Sequence, residues 1–346
     1  MKLLKKIGAT RSADPYHIRD LLEAKFKKLG YDDYETALVL DGFPLLTAVS
    51  KAGGQLPVVM VLNKSKLATA KTIVIGKGVC YDTGGLYNKP YPYMSGMFYD
   101  KTGAILAAEH ALLTPEVPSI IFLTNNMIDR HAYLNGDVIK SRSGVRVEIG
   151  HTDAEGRLGL ADCITYAKEL APQAIPVSIA TLTGAAVSFT GSGTYALLHS
   201  YDVNLKLDAL SAAENVGLQL WPAPTHKKYK ENVKSRLRDA DITNSGKDRE
   251  AGSQSAFEFL RHFNDKLVHL DIAALDTDDD GNFVGGGLKE LTYVVEFLKM
   301  TADIKEALDK PVKWAKLKSK NKAKPKDKSN EQEVKKPKRT NKESKK

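Results

Sequence analysis

The chain reads as an α/β protein: a layered α/β/α domain around a central, mostly buried mixed sheet, followed by a disordered basic tail. Three observations carry that reading. Short apolar runs alternate with longer stretches of helical period along residues 1–310, the pattern of a sheet covered by helices. The acidic and lysine side chains that stand out fall at the ends of those apolar runs, where open α/β sheets place their sites. The excess positive charge is confined to the C-terminus. Residues 311–346 hold 15 Lys/Arg and 4 Asp/Glu, whereas residues 1–310 carry a net charge of −2, against +9 for all 346 residues.

Taken in order, Asp14-Pro15 opens a helix to about Leu29, with proline in the first turn, where its missing N–H costs nothing. Strands are expected at 58–62 and 73–79, the second carrying Lys77 between Gly76 and Gly78. A helix at 104–113 and a strand at 120–123 follow. Residues 145–149 alternate as a strand does, and 160–170 read as a helix buried on one face. A strand at 177–182, helices at 209–216 and 254–263, a strand at 268–272 and a helix at 289–297 complete the domain. The tail has almost no large apolar residues after Leu317 and cannot bury enough surface to fold. Domain boundaries are therefore placed at 1–310, with 1–70 a lead-in, and 311–346.

The densest chemistry lies in His151-Thr152-Asp153-Ala154-Glu155-Gly156-Arg157-Leu158. Asp153, Glu155 and Arg157 have i, i+2, i+4 spacing, which puts them on one side of an extended segment. Two carboxylates so close repel unless a positive group sits between them. Upstream stand Lys77, Asp82 in Asp82-Thr83-Gly84-Gly85, Lys89 and Asp100. Four acidic side chains and two lysines suffice for two divalent cations bridged by shared carboxylates.

In that order and at similar spacing, Gly76-Lys77-Gly78, Asp82-Thr83-Gly84-Gly85, Lys89, Asp100, Asn126-Met127, Gly136-Asp137-Val138 and the Thr152–Leu158 string resemble the leucyl aminopeptidase (cytosol aminopeptidase) family. The segments beginning at Ala180, Leu220, Ala251 and His269 continue the resemblance, which covers roughly residues 15–300. It implies that Lys77, Asp82, Asp100, Asp153 and Glu155 ligate two divalent metal ions, zinc or manganese first and cobalt or magnesium as alternatives. Lys89 would polarise the scissile carbonyl, and Arg157 would hold a bicarbonate-like anion acting as general base. Backbone groups of Leu182 and Gly184 would align the peptide, and Met97 and Thr181 would line the pocket for its first side chain. The implied reaction is removal of the N-terminal residue from peptides by a metal-bridging hydroxide. Homo-oligomers, hexameric or trimeric, are implied with it; cytoplasmic residence is expected from the lack of a secretory signal and from two cysteines that read as reduced thiols.

Some features depart from the family pattern. Thr83 and His151 stand where Ser and Asn are usual, both keeping hydrogen-bonding capacity. Lys101 follows Asp100 where methionine is usual; it either weakens the looser metal or points away. Only about 70 residues precede the Lys77 strand, so the family's usual N-terminal domain reads as absent or reduced. The reduced N-terminal part, Lys101 and the basic tail support an alternative, a catalytically weak relative serving as a scaffold, with a tail that binds nucleic acid or another polyanion.

Other classes find little support. There is no His-Glu-x-x-His zinc signature and no G-x-S-x-G elbow around Ser192. Asp276–Asp280 begins like a calcium loop, but Gly287 stands where glutamate is required. Gly285-Gly286-Gly287 lacks the ending of a phosphate loop. Cys80 and Cys163 are too few for a disulfide framework and read as reduced core thiols. No secretory signal or bilayer-length apolar run is read, so no membrane partner is expected.

Overall fold

The computed structural model describes residues 4–39, 41–248 and 250–275. The expected helix at 289–297, the Asp276–Asp280 and 285–287 segments and the 311–346 tail lie outside those residues. In chain order the first elements are α1 (Lys5–Gly8), α2 (Pro15–Leu29), β1 (Tyr34–Leu38), α3 (Pro44–Ser50), β2 (Val58–Leu62), β3 (Thr72–Gly76) and β4 (Val79–Asp82). Next come α4 (Thr102–Leu113), β5 (Ser119–Asn126), β6 (Val138–Lys140), β7 (Arg146–Glu148), α5 (Gly156–Leu170), β8 (Ile175–Ala180) and α6 (Gly184–Thr190). The last are β9 (Ala196–His199), α7 (Val203–Val216), β10 (Leu220–Pro222), α8 (Lys227–Asn232), β11 (Ile242–Thr243), α9 (Gly252–Arg261) and β12 (Val268–Asp271).

The main sheet runs β1-β2-β5-β3-β8-β12-β9-β10, with β4 paired to β5 beyond the end of β3. Its centre, β5-β3-β8-β12, is parallel, while β1-β2, β2-β5 and β12-β9 are antiparallel. The expected mixed sheet is therefore present, and its parallel strands end on one side. Successive residues of a strand feed opposite cores because side chains alternate. Met60 and Leu62 join α2, α4 and α7 in one core, whereas Val59 and Val61 join α3, α5 and α9 in the other. Burial on both faces is why β2, β3 and β5 read as unbroken apolar runs. A second, small sheet, β11-β7-β6, takes the 145–149 segment out of the main sheet.

The predicted start of α2 is observed: the Asp14 carboxylate accepts from the Tyr16 N–H at 2.8 Å, Pro15 is the first helical residue, and Gly30 closes the helix in the left-handed conformation. Two expectations are corrected. The 73–79 run is not one strand. After Gly76 the Lys77 N–H still donates to the Ile179 carbonyl, but Gly78 accepts from Thr124, so the chain leaves β8 while staying beside β5 and the strand breaks at Lys77. A side chain at Gly78 would meet the Phe122 carbonyl at 2.1 Å, so only glycine permits the break. Nor is 153–157 extended. Glu155 has φ −72° and ψ −40°, and α5 begins at Gly156, four residues before the expected start. Asp153, Glu155 and Arg157 thus meet the site from a turn and a helix start, not from one row of a strand.

Candidate metal centre

The parallel strands deliver the site. Lys77 follows β3, Asp82 ends β4, Asn126 ends β5, Thr181 follows β8 and Asp271 ends β12. Buried oxygens of Asp82, Asp100 and Glu155 all lie within 4.8 Å of one another. Lys77 Nζ stands among them, 2.6 Å from Asp100 Oδ1 and 3.2 Å from Glu155 Oε1, and donates to the Thr181 carbonyl at 2.7 Å. Lys89 Nζ bridges Asp82 Oδ2 at 2.7 Å and Asp153 Oδ1. Asp153 thus joins the three-carboxylate group through Lys89.

Local sequence explains the placement. In Asp82-Thr83-Gly84-Gly85 the Asp82 carboxylate accepts from the Gly84 N–H at 2.9 Å, an Asx-type turn. Gly84 (φ 86°) and Gly85 (φ 62°) make the left-handed reversal that an L side chain resists. The reversal brings the Lys89 N–H to the Thr83 carbonyl at 2.8 Å. Thr152 ties this turn to the second loop: its hydroxyl donates to the Gly84 carbonyl and accepts from the Tyr87 N–H. Asp100 follows the short helical turn Met97–Tyr99 and accepts from the Thr181 hydroxyl at 2.8 Å.

Electrostatics show an excess of negative charge. Burial, together with repulsion from Glu155, raises Asp82, and Asp100 is held well above the usual carboxylate range for the same reasons. Burial, Asp82 and Glu155 push Asp153 up to about 7. Burial alone would lower Lys77 and Lys89, but the surrounding carboxylates outweigh it and hold both ammoniums above their ordinary value. Glu155, facing both lysines, stays below its usual range despite burial. Four carboxylates against two ammoniums in a water-poor site call for more positive charge. Asp100 Oδ2 is buried with no hydrogen-bond partner among the described residues. That orphaned oxygen and the converging carboxylates fit a divalent cation.

The remaining predicted residues lie around this cluster. Arg157 is buried in the first turn of α5; its Nη1 donates to the Asn244 carbonyl at 2.8 Å, and Nε has no partner among the described residues. Burial brings its guanidinium down to about 10. Met97 is half-buried in the turn before Asp100, Leu182 sits on the segment joining β8 to α6, and Gly184 opens α6. The Leu182 N–H donates to Asp271 Oδ1 at 3.2 Å. Lys101 points away: its ammonium donates to the main-chain carbonyls of Phe98 and, at 2.8 Å, Thr10.

Three supporting residues were not singled out as site residues from sequence. Asn126 Nδ2 donates to Asp82 Oδ1 at 2.8 Å and to the Thr152 carbonyl at 3.0 Å. Asp271 accepts from the Leu182 and Thr183 N–H groups and from the Thr183 and Ser253 hydroxyls. An acid at the end of an apolar strand was a signal for it. Asn244 accepts from the Gly150 and His151 N–H groups and donates to the His151 and Ala154 carbonyls, pinning the acidic loop from 90 or more residues away. Nothing local marks it.

Fold and site together define an α/β protein with a buried carboxylate–lysine centre able to hold divalent cations. The chain belongs to the cytosol aminopeptidase family: residues 20–291 match the catalytic domain of that family. A probable cytosol aminopeptidase of Persephonella marina is 39% identical over 253 residues, covering 70% of this chain and 50% of that protein. One from Chlamydia felis is 39% identical over 278 residues, covering 75% and 55%. One from Chlamydia muridarum is 42% identical over 250 residues, covering 68% and 49%. The chain spans about half the length of these curated relatives. Among solved structures, the bottromycin maturation enzyme BotP superposes with a TM-score of 0.74 at 27% identity, covering 87% of this chain and 68% of that one.

Proposed function

We propose that this chain is a metal-dependent aminopeptidase that removes the first residue of a peptide, with two divalent ions held by Lys77, Asp82, Asp100, Asp153 and Glu155. The observation that carries the reading is the convergence of three buried carboxylates on Lys77, with Asp100 Oδ2 left without a partner among the described residues. When bound, the ions would acidify a water and polarise the peptide carbonyl. The residues do the rest. Lys89, held charged by Asp82 and Asp153, supplies a fixed positive group for developing oxyanion charge. Arg157, with a buried Nε that has no partner among the described residues, is suited to a small anion such as bicarbonate serving as general base. Because the Leu182 N–H is engaged by Asp271, Leu182 would align the peptide through its carbonyl. Gly184 would align it alongside, with Met97 and Thr181 lining the first side-chain pocket.

A cytoplasmic homo-oligomer is part of the same reading, the oligomer resting on the family resemblance. The scaffold alternative is disfavoured by energetics. Lys77 is buried among carboxylates that hold it, but a buried ion pair is often no more stabilising than apolar side chains of similar volume, so a chain freed from catalysis has no need of one. The test is hydrolysis of leucine-p-nitroanilide by metal-free protein, then with added Mn²⁺ or Zn²⁺, beside Glu155→Ala. Metal-dependent release that disappears in the variant is expected. No turnover with any metal despite bound ions would replace this reading with the scaffold.

A further inference from the structure

Lys101 is the feature that the family pattern does not account for and that the proposed chemistry does not use. Its side chain is fully buried, yet both of its acceptors are main-chain carbonyls. One is Phe98, inside the turn that leads to Asp100. The other is Thr10, in the N-terminal segment ahead of α2, 91 residues away in sequence. The same segment grips the turn a second time, with the Arg11 guanidinium 5.6 Å from the centre of the Phe98 ring. Lys101 itself lies 5.8 Å from that ring. The segment is anchored beneath by Leu4 and Ile7, both in the core that includes Ala104 and Ala108 of α4. Asp100 therefore sits between two fixed points. On one side its Oδ1 faces Lys77 and the Thr181 hydroxyl. On the other, its carrier turn is tied to residues 10 and 11.

We propose that Lys101 is a positioning residue through which the N-terminal segment clasps the Met97–Asp100 turn and sets the affinity of the metal centre. The clasp rests on the metal-centre reading above and extends it to a part of the chain outside the ligand set. An ammonium suits the task because it can donate to two carbonyls at once; methionine fills similar volume and donates to none. Fixing the turn holds the Asp100 carboxylate near its bound position, so less ordering remains when an ion binds. Supporting groups of this kind typically change metal affinity by about 10–100-fold. Coupling of this sort is reciprocal: an ion that favours the ordered turn also favours the docked segment.

The test is the Mn²⁺ affinity of the full chain, by competition with a fluorescent chelator, for wild type and Lys101→Met. The clasp predicts binding weakened by about tenfold or more at one ion at least. Arg11→Ala should weaken it in the same direction by less. Amide hydrogen exchange supplies a readout that needs no variant. In wild type, Mn²⁺ should slow exchange at Gly8 and Thr10, whose N–H groups bond within the segment, and in a folded Lys101→Met the effect should vanish. A purely structural lysine would lower thermal stability in Lys101→Met and leave Mn²⁺ affinity unchanged, which overturns the clasp. Should Lys101→Met fail to fold, Mn²⁺-independent exchange at Gly8 and Thr10 in wild type overturns it instead. A wild-type chain that binds no Mn²⁺ or Zn²⁺ refutes the metal-centre reading beneath.

Discussion

Gly156→Ala separates the fold from the site more sharply than removal of a ligand. Gly156 opens α5 with its Cα against the Lys77 side chain. An added Cβ would lie 2.4 Å from Cε, 2.7 Å from Cδ and 2.8 Å from Nζ of Lys77. Ordinary contact begins near 3.4 Å, so the end of the lysine must move by about 1 Å, a displacement of the size that costs about 100-fold in rate. The ammonium would leave its short contacts with Asp100 Oδ1, at 2.6 Å, and the Thr181 carbonyl, at 2.7 Å. Losing one charge-assisted bond costs about 1.5–3 kcal/mol, and alanine's better helix propensity returns about 1 kcal/mol. The net loss of stability is then about 0.5–2 kcal/mol. Gly159→Ala, one turn on, is the control. Its Cβ would meet the Phe122 ring at 2.7 and 2.9 Å and Leu46 at 3.1 Å. Overpacking of that kind costs about 1–3 kcal/mol and touches no proposed ligand. Urea unfolding and Mn²⁺-dependent leucine-p-nitroanilide hydrolysis, measured on both variants, should give comparable stability losses and a rate loss in Gly156→Ala alone. Wild-type turnover in folded Gly156→Ala would refute the assignment of Lys77 to the centre.

Two further outcomes follow from the same contacts. Asp271→Ala strips acceptors from the Leu182 and Thr183 N–H groups and from two hydroxyls; KM should rise about tenfold or more through misplacement of the segment proposed to align the peptide, with bound-metal stoichiometry by elemental analysis unchanged. Asp162 accepts from the Leu45, Leu46 and Arg142 N–H groups, but burial prevails and pushes its carboxyl from 3.8 up to about 6. A carboxyl raised on folding contributes stability that is full below its unfolded pKa and lost as pH rises through the folded one. Asp162 should therefore contribute a fall of roughly 3 kcal/mol between about pH 4 and 6, and urea unfolding across that window should show a fall smaller by that amount in Asp162→Asn than in wild type, the other raised carboxyls contributing alike to both.

Much of the molecule was legible because its signals are local. The apolar runs of β2, β5, β8 and β12 announced strands, since burial on both faces fills most of their positions with apolar side chains. Asp14-Pro15 marked the start of α2 by chemistry confined to one turn. The edge elements were not legible. β9 and β10 are short, and β1 alternates weakly between half-buried and exposed. The break at Lys77-Gly78 was hidden as well, because it depends on strand β5 arriving alongside. Lys101 could not be aimed from its neighbours in sequence; its acceptor Thr10 comes from the far end of the domain.

The sequence by itself determined the α/β class, the identity of the proposed ligands and the family, because carboxylates, lysines and glycines at fixed spacing are chemistry written within a few residues. Only the tertiary structure decided how those groups meet. It turned an expected row of charges along a strand into a turn and a helix start, placed Lys77 between Asp100 and Glu155, and brought in Asn244, Asp271 and Thr10 to hold the loops. These are contacts between segments far apart in sequence. Their geometry depends on how the sheet stacks its strands, and that is settled only when both cores close.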